Sequence, residues 1–182
     1  FADRKLKRVP VTGGPPQSLC DAVGGRGGTW GRDDVIVFSL PNNIQRVAAA
    51  GGTPVDIFQT KGEQRHLPVF LPDGRRFLYL MLNQSEKPGI YLASLDGKEN
   101  HRLLTDDSGP VLALQPNGDN NGSAHILFIR ENTLMAQPFD TKSGNLAGEL
   151  FPVAADAVAL SFNNTWTPAS ASERGTLLFQ TG

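Results

Sequence analysis

Apolar residues in this chain fall in short runs of four to six, separated by glycine, proline, asparagine and aspartate. The stretch "VFLPDGRRFLYLM" from Val69 shows the unit: Pro72-Asp73-Gly74 stands between two apolar runs, the signal of a tight turn between antiparallel strands. Similar stretches begin at Thr29 ("TWGRDDVIVFS"), Ala113 ("ALQPNGDNNGSAHILFIR") and Thr165 ("TWTPASASERGTLLFQ"). Each places a large apolar residue (Trp30, Phe70, Leu114, Trp166) shortly before a turn, and a β-type run ("VIVF", "FLYL", "HILFI", "TLLF") after it. The four large residues are spaced 40, 44 and 52 apart. Apolar recurrence at helical spacing persists nowhere over a useful length, so little or no helix is expected.

A second element alternates with the first. It reads "KLKRVPVTGGPPQSL" from Lys5, "NIQRVAAAGGTPVDI" from Asn43, "GIYLASLDGKENHRLL" from Gly89 and "TLMAQPFDTKSGNLAGEL" from Thr133. Each is a strand, a glycine-containing turn and a second strand. The first two copies share residues at fixed offsets: Arg8 with Arg46, Gly13 with Gly51, Pro16 with Pro54. The repeat is therefore four strands in roughly 40 to 50 residues, the period of a β-propeller blade. Strands are numbered first to fourth from the central axis outward.

The expected architecture is one all-β propeller over residues 1–182, built from four-stranded antiparallel blades. Residues 1–20 form an outer half-blade, 27–59, 65–105 and 109–158 whole blades, and 161–182 an inner half-blade. Together these make four blade-equivalents. Either the terminal halves close a four-blade ring, or the chain is a segment of a larger one, completed by further sequence or by a second copy in a homodimer. The first residue is Phe1 within a strand-like pattern, which reads as a portion of a longer protein. Trp30, Phe70, Leu114 and Trp166 are expected at one repeat position, packed between blades.

Composition agrees with many turns. The chain has 20 glycines and 13 prolines in 182 residues, about 18% against roughly 12% in average usage. A net charge of −1 offers no basic field for phosphates, which argues against nucleic acid as a partner. No apolar run is long enough for a helical membrane span, so no membrane contact is expected of this segment. The single cysteine, Cys20, cannot form a disulfide within the chain.

Candidate chemistry is sparse. His66, His101 and His125 lie in different blades with no metal-ligand spacing, so no metal or other cofactor is expected. No Gly-x-Ser-x-Gly elbow seats a nucleophile, and no catalytic residues are expected. "GGRGG" from Gly24 could form a nest of backbone N–H groups, but it leads into a strand rather than a helix. It is better read as letting the chain pass close to the axis, with Arg26 the residue to test. "NGDNNGSA" from Asn117 is rich in oxygen ligands but lacks the register of a calcium loop. The expected binding face gathers the fourth-to-first and second-to-third strand connections. It holds Arg26, Lys61, Glu63, Arg65, His66, Glu86 and Asn163, a mixed-charge set suited to a protein, a peptide or a polar small molecule.

The quoted repeats, with "WGRDDVIVFS", "LPDGRRFLYL" and "RENTLMAQPFDTKSGNLAGELFPVA", resemble the WD-like, TolB-type propeller repeat. More narrowly, "LKRVPVTGGPPQSLCDAVGGRGGTW" is similar to the propeller that follows the kinase domain in bacterial transmembrane serine/threonine kinases. This resemblance implies a non-catalytic sensor or interaction domain on the extracytoplasmic side of a membrane. The kinase motifs themselves are absent from this chain. The alternatives are a TolB-like periplasmic binding protein and the accessory propeller of a prolyl-oligopeptidase-type peptidase.

Overall fold

The computed structural model describes residues 1–59, 62–82, 87–115, 122–157, 165–172 and 175–181. Every regular element among them is a β-strand. β1 (Lys5–Arg8) and β2 (Gln17–Asp21) form a two-stranded sheet. β3 (Gly28–Trp30), β4 (Val35–Leu40), β5 (Asn43–Ala48) and β6 (Val55–Asp56) pair in sequence order as a four-stranded antiparallel sheet. β7 (Arg65–Phe70), β8 (Arg76–Met81), β9 (Gly89–Ser94) and β10 (Asn100–Leu104) form the next. The third contains β11 (Val111–Leu114), β12 (Ser123–Arg130), β13 (Thr133–Asp140), β14 (Asn145–Leu146) and β15 (Phe151–Ala154). β16 (Ala169–Ala171) and β17 (Leu177–Phe179) make a final two-stranded sheet.

The fourth strand of the third blade is split. β14 pairs with the end of β13 at Phe139 and Asp140, and β15 with its start at Leu134 to Ala136. The buried Gln137 amide bridges the gap between them, donating to the carbonyls of Ala147 and Gly148 at 3.2 and 3.4 Å.

Each second strand is apolar throughout because both of its faces are covered. Ile36 and Phe38 of β4 pack on Leu19 and Cys20 of the first half-blade, while Val37 between them faces Phe77 and Tyr79 of the next blade. In β8 the odd positions face back to the β3–β6 sheet, and Leu78 faces forward to Ile126 and Phe128 of β12. In β12, Leu127 and Ile129 turn toward the final half-blade, against Ala169 and Leu177. One apolar cluster thus fills each of four junctions between neighbouring sheets.

The alternation runs out at β17. Leu177 packs inward, but Leu178 is 74% exposed, whereas its counterpart Val37 is fully buried. The equivalence follows from register: Ala171 pairs with Leu177 as Trp30 pairs with Ile36. β1 and β17 belong to separate sheets, so the two half-blades do not join into one blade in this structure.

The same register corrects one expectation. Trp166 is not the repeat partner of Trp30, Phe70 and Leu114; Ala171 is. The fourth inner hairpin turns at Ser172 to Gly175, where the Ser172 N–H donates to the Thr176 carbonyl, and not at Pro168. Nor are the two tryptophans buried between blades. Trp30 is 52% exposed and Trp166 51%. Trp30 ends its strand where the inner strands open onto the axis, and Trp166 lies on the uncovered side of the final half-blade beside Leu178.

Candidate functional site

Of the residues expected on the fourth-to-first face, Lys61, Glu86 and Asn163 lie outside the described residues. The other four, Arg26, Glu63, Arg65 and His66, have different surroundings. Arg26 sits in the connection from β2 to β3, where Gly24 and Gly27 take the positive φ angles that favour glycine. Its backbone is pinned on both sides. Its N–H donates to the Ser39 carbonyl at 2.8 Å, and its own carbonyl accepts from the Ser39 hydroxyl at 2.7 Å and the Leu67 N–H at 3.3 Å. Its side chain is exposed and, among the described residues, meets no carboxylate. The glycine run also brings the chain close to its neighbour: a Cβ at Gly28 would stand 3.2 Å from the Val37 carbonyl.

Arg65 is not on the surface. It is 1% exposed, ion-paired with Glu63, and its guanidinium carbon lies 4.1 Å from the centroid of the Phe58 ring. The pair and the ring stitch the start of β7 to the preceding blade. His66 is also buried, at 8% exposure. Burial, helped by the charge on Arg26, holds its pKa below the usual imidazole value, so it is neutral at pH 7. Its Nε2 makes no hydrogen bond among the described residues. Of the expected set, Arg26 is thus the residue shown to be presented to solvent.

Leu67 narrows the axis at this end. It adopts a positive φ of 54° within the bulge that separates His66 from Val69. Its two methyls meet glycines of the flanking blades, 3.1 Å from the place a Cβ would take at Gly27 and 2.4 Å at Gly109. Gly109 is tied in turn to the final half-blade. It donates to the Thr165 carbonyl at 2.6 Å and accepts from the Thr167 hydroxyl at 2.6 Å.

The opposite end, formed by the first-to-second turns, is open. The last inner-strand residues Trp30, Phe70, Leu114 and Ala171 border an opening of about 240 Å³. A second cleft of about 520 Å³ adjoins it, with Arg32, Pro72 and Leu114 on the border of both. Asp73, Arg76, Ser123, Thr141 and Lys142 also line the second cleft. Arg76 is used up structurally. Its Nε donates to Asp73 at 2.6 Å, and a terminal nitrogen donates to the carbonyls of Thr141 and Lys142 at 2.5 and 3.0 Å. Burial pushes the Asp73 carboxyl up, but the N–H groups of Arg76 and Arg75 and the Arg76 guanidinium outweigh it and hold its pKa low. Arg32 and Lys142 make no ion pair among the described residues, although the Lys142 N–H donates to the Asp140 carboxylate at 2.8 Å and the Lys142 charge helps hold that carboxyl's pKa low.

Sequence reasoning missed this second cleft. Arg32 and Lys142 come from two different turns and Arg76 from the start of β8, and only the ring arrangement brings them together. A partial signal existed: Arg32 and Lys142 each directly follow a turn residue (Gly31, Thr141), and Arg76 comes two residues after Gly74. Among the described residues no three His, Cys, Asp or Glu side chains converge as metal ligands.

No protein-family model matches the chain, and no curated protein sequence does. Solved structures do. TolB from Acinetobacter baumannii superposes with a TM-score of 0.66 at 17% identity, covering 98% of this chain and 43% of that one. A TolB from Agrobacterium tumefaciens gives 0.62 at 17% identity, covering 87% and 57%. The Dos1 propeller gives 0.58 at 12% identity, covering 95% and 46%. The chain therefore spans between two fifths and three fifths of the length of these structures. Together with the antiparallel four-stranded sheets, the likeness establishes the fold as a β-propeller built from four-stranded blades.

Proposed function

We propose that this chain is a non-catalytic β-propeller scaffold for protein or ligand binding, serving as the extracytoplasmic sensor or interaction region of a bacterial membrane-anchored serine/threonine kinase. The binding role rests on Arg26. Its backbone is held by three hydrogen bonds near the axis, while its exposed side chain makes no ion pair among the described residues. The kinase assignment rests on the resemblance carried by residues 6–30. A TolB-like periplasmic binding protein is the second reading, favoured by the superposition on two TolB structures.

The coding sequence upstream of Phe1 separates the two. A catalytic His-Arg-Asp and Asp-Phe-Gly pair followed by an apolar span of about 20 residues supports the kinase reading. A secretory leader joined directly to further propeller sequence supports the TolB-like reading. A hydrolase domain in the same frame would overturn both.

A further inference from the structure

We propose that the turn-face cleft between Arg32 and Lys142 binds a carboxylate attached to an aromatic-sized apolar group. This is a second site, on the face opposite Arg26. Three observations carry it. First, among the described residues the cleft holds two cations that make no ion pair, Lys142 keeping only a longer-range attraction to Asp140, and the acid that lines it, Asp73, is already committed to Arg76. Arg32 offers the planar fork that suits a carboxylate, and Lys142 a second positive charge across the cleft.

Second, Arg76 braces the frame. By donating to the Thr141 and Lys142 carbonyls from β8, it fixes the turn that carries Lys142 against the turn that carries Asp73. The backbone that carries Lys142 is thereby held in place by the fold. The Ser123 hydroxyl adds a donor on the same wall.

Third, the cationic cleft opens directly onto the axial opening through the shared border of Arg32, Pro72 and Leu114. Trp30, Phe70 and Leu112 line that opening, whose volume is about 240 Å³. An apolar cavity of about 150 Å³ accepts a benzene ring, so one ring with a short linker fits beside the two cations. An uncharged apolar ligand would leave Arg32 and Lys142 unanswered, and a small inorganic anion would leave the aromatic floor uncovered.

The test uses the chain with Trp166→Phe, which leaves Trp30 as its one indole, titrated with 3-phenylpropionate at low salt. Saturable change in Trp30 fluorescence is expected, with Arg32→Gln and Lys142→Gln each weakening binding about tenfold or more. Both substitutions are on exposed side chains, and unchanged melting curves confirm that the variants fold. 3-Phenylpropionamide should bind at least tenfold more weakly than the acid. Acetyl-Gly-Phe with a free carboxyl terminus distinguishes sources: tighter binding than 3-phenylpropionate supports a peptide end as the occupant, weaker binding a free organic acid. A response that does not saturate, equal affinity for acid and amide, or indifference to both substitutions overturns the proposal. Arg26→Ala should leave this titration unchanged, so failure here and failure of the Arg26 reading are separable.

Discussion

Arg65 lies over the face of Phe58 with its guanidinium carbon 4.1 Å from the ring centroid, and it is paired in the same buried site with Glu63. A residue that appeared in the sequence as a candidate ligand contact is thus a brace between two blades. Arg65→Ala takes away the cation that Glu63 is buried against and should cost about 3–5 kcal/mol. Arg26→Ala, at an exposed position, should stay within about 0.5 kcal/mol. Urea midpoints of the two variants check the contrast.

Trp30→Ala should cost less than about 1 kcal/mol, because half the ring is in solvent and its N–H makes only a 3.3 Å bond to Asp34. Phe77→Ala, in the cluster between the β3–β6 and β7–β10 sheets, should cost about 3–5 kcal/mol. A Trp30→Ala loss as large as that of Phe77→Ala would place the indole in the core.

Stability should fall as the solution is acidified below about pH 6.5. The folded state holds His66 neutral at pH values where the unfolded chain already binds a proton there, so the unfolded state gains protons first. The contribution is complete above the unfolded imidazole pKa and is lost as pH drops through the depressed folded value. His125, shifted the same way by burial, adds to the slope. Melting temperatures of His66→Gln and of the double variant His66→Gln/His125→Gln should become progressively flatter across this range.

The open half-blades should make the isolated chain self-associate. Among the described residues β17 pairs with β16 alone, leaving its other edge open with Leu178 and Phe179 exposed beside Trp166, and β1 offers the complementary edge of a third strand. By the register of β4 on β5, the strand completing β17 should place its counterpart of Arg46 opposite Leu178; in a second copy that residue is Arg8. Light scattering at micromolar concentration should give a mass above 19.6 kDa, and Leu178→Lys should return it to that value. A wild-type mass of 19.6 kDa with a cooperative melt would contradict this.

Much of the architecture was legible because each second strand is covered on both faces and so reads as an unbroken apolar run: "VIVF", "FLYL" and "HILFI" mark β4, β8 and β12 directly. The fourth copy misled for a physical reason. Trp166-Thr167-Pro168 imitates the tryptophan-to-turn spacing of Phe70 to Asp73, yet the chain goes on into β16 and turns only at Ser172, past the Pro168 that the imitation suggests. Burial was the least legible property of the candidate site. Arg65 and His66 follow one another at the start of an inner strand, and both are drawn under the surface; nothing in their residue types shows that Phe58 waits beneath one of them. The Arg32–Lys142 cleft depends on which turns become neighbours, which no single repeat encodes.

The four junction clusters have a mechanical consequence. Each sheet is held to its neighbours by its own patch of apolar contacts, and no one cluster spans all of them. Tension applied at the two chain ends therefore loads the junctions in series, and the weakest gives way first. That is the outer one at β16 and β17, whose short strands have one side uncovered. A pulling experiment should record a small early release as this hairpin peels from β11 and β12, followed by larger steps as the whole blades, locked on both faces, come apart in turn.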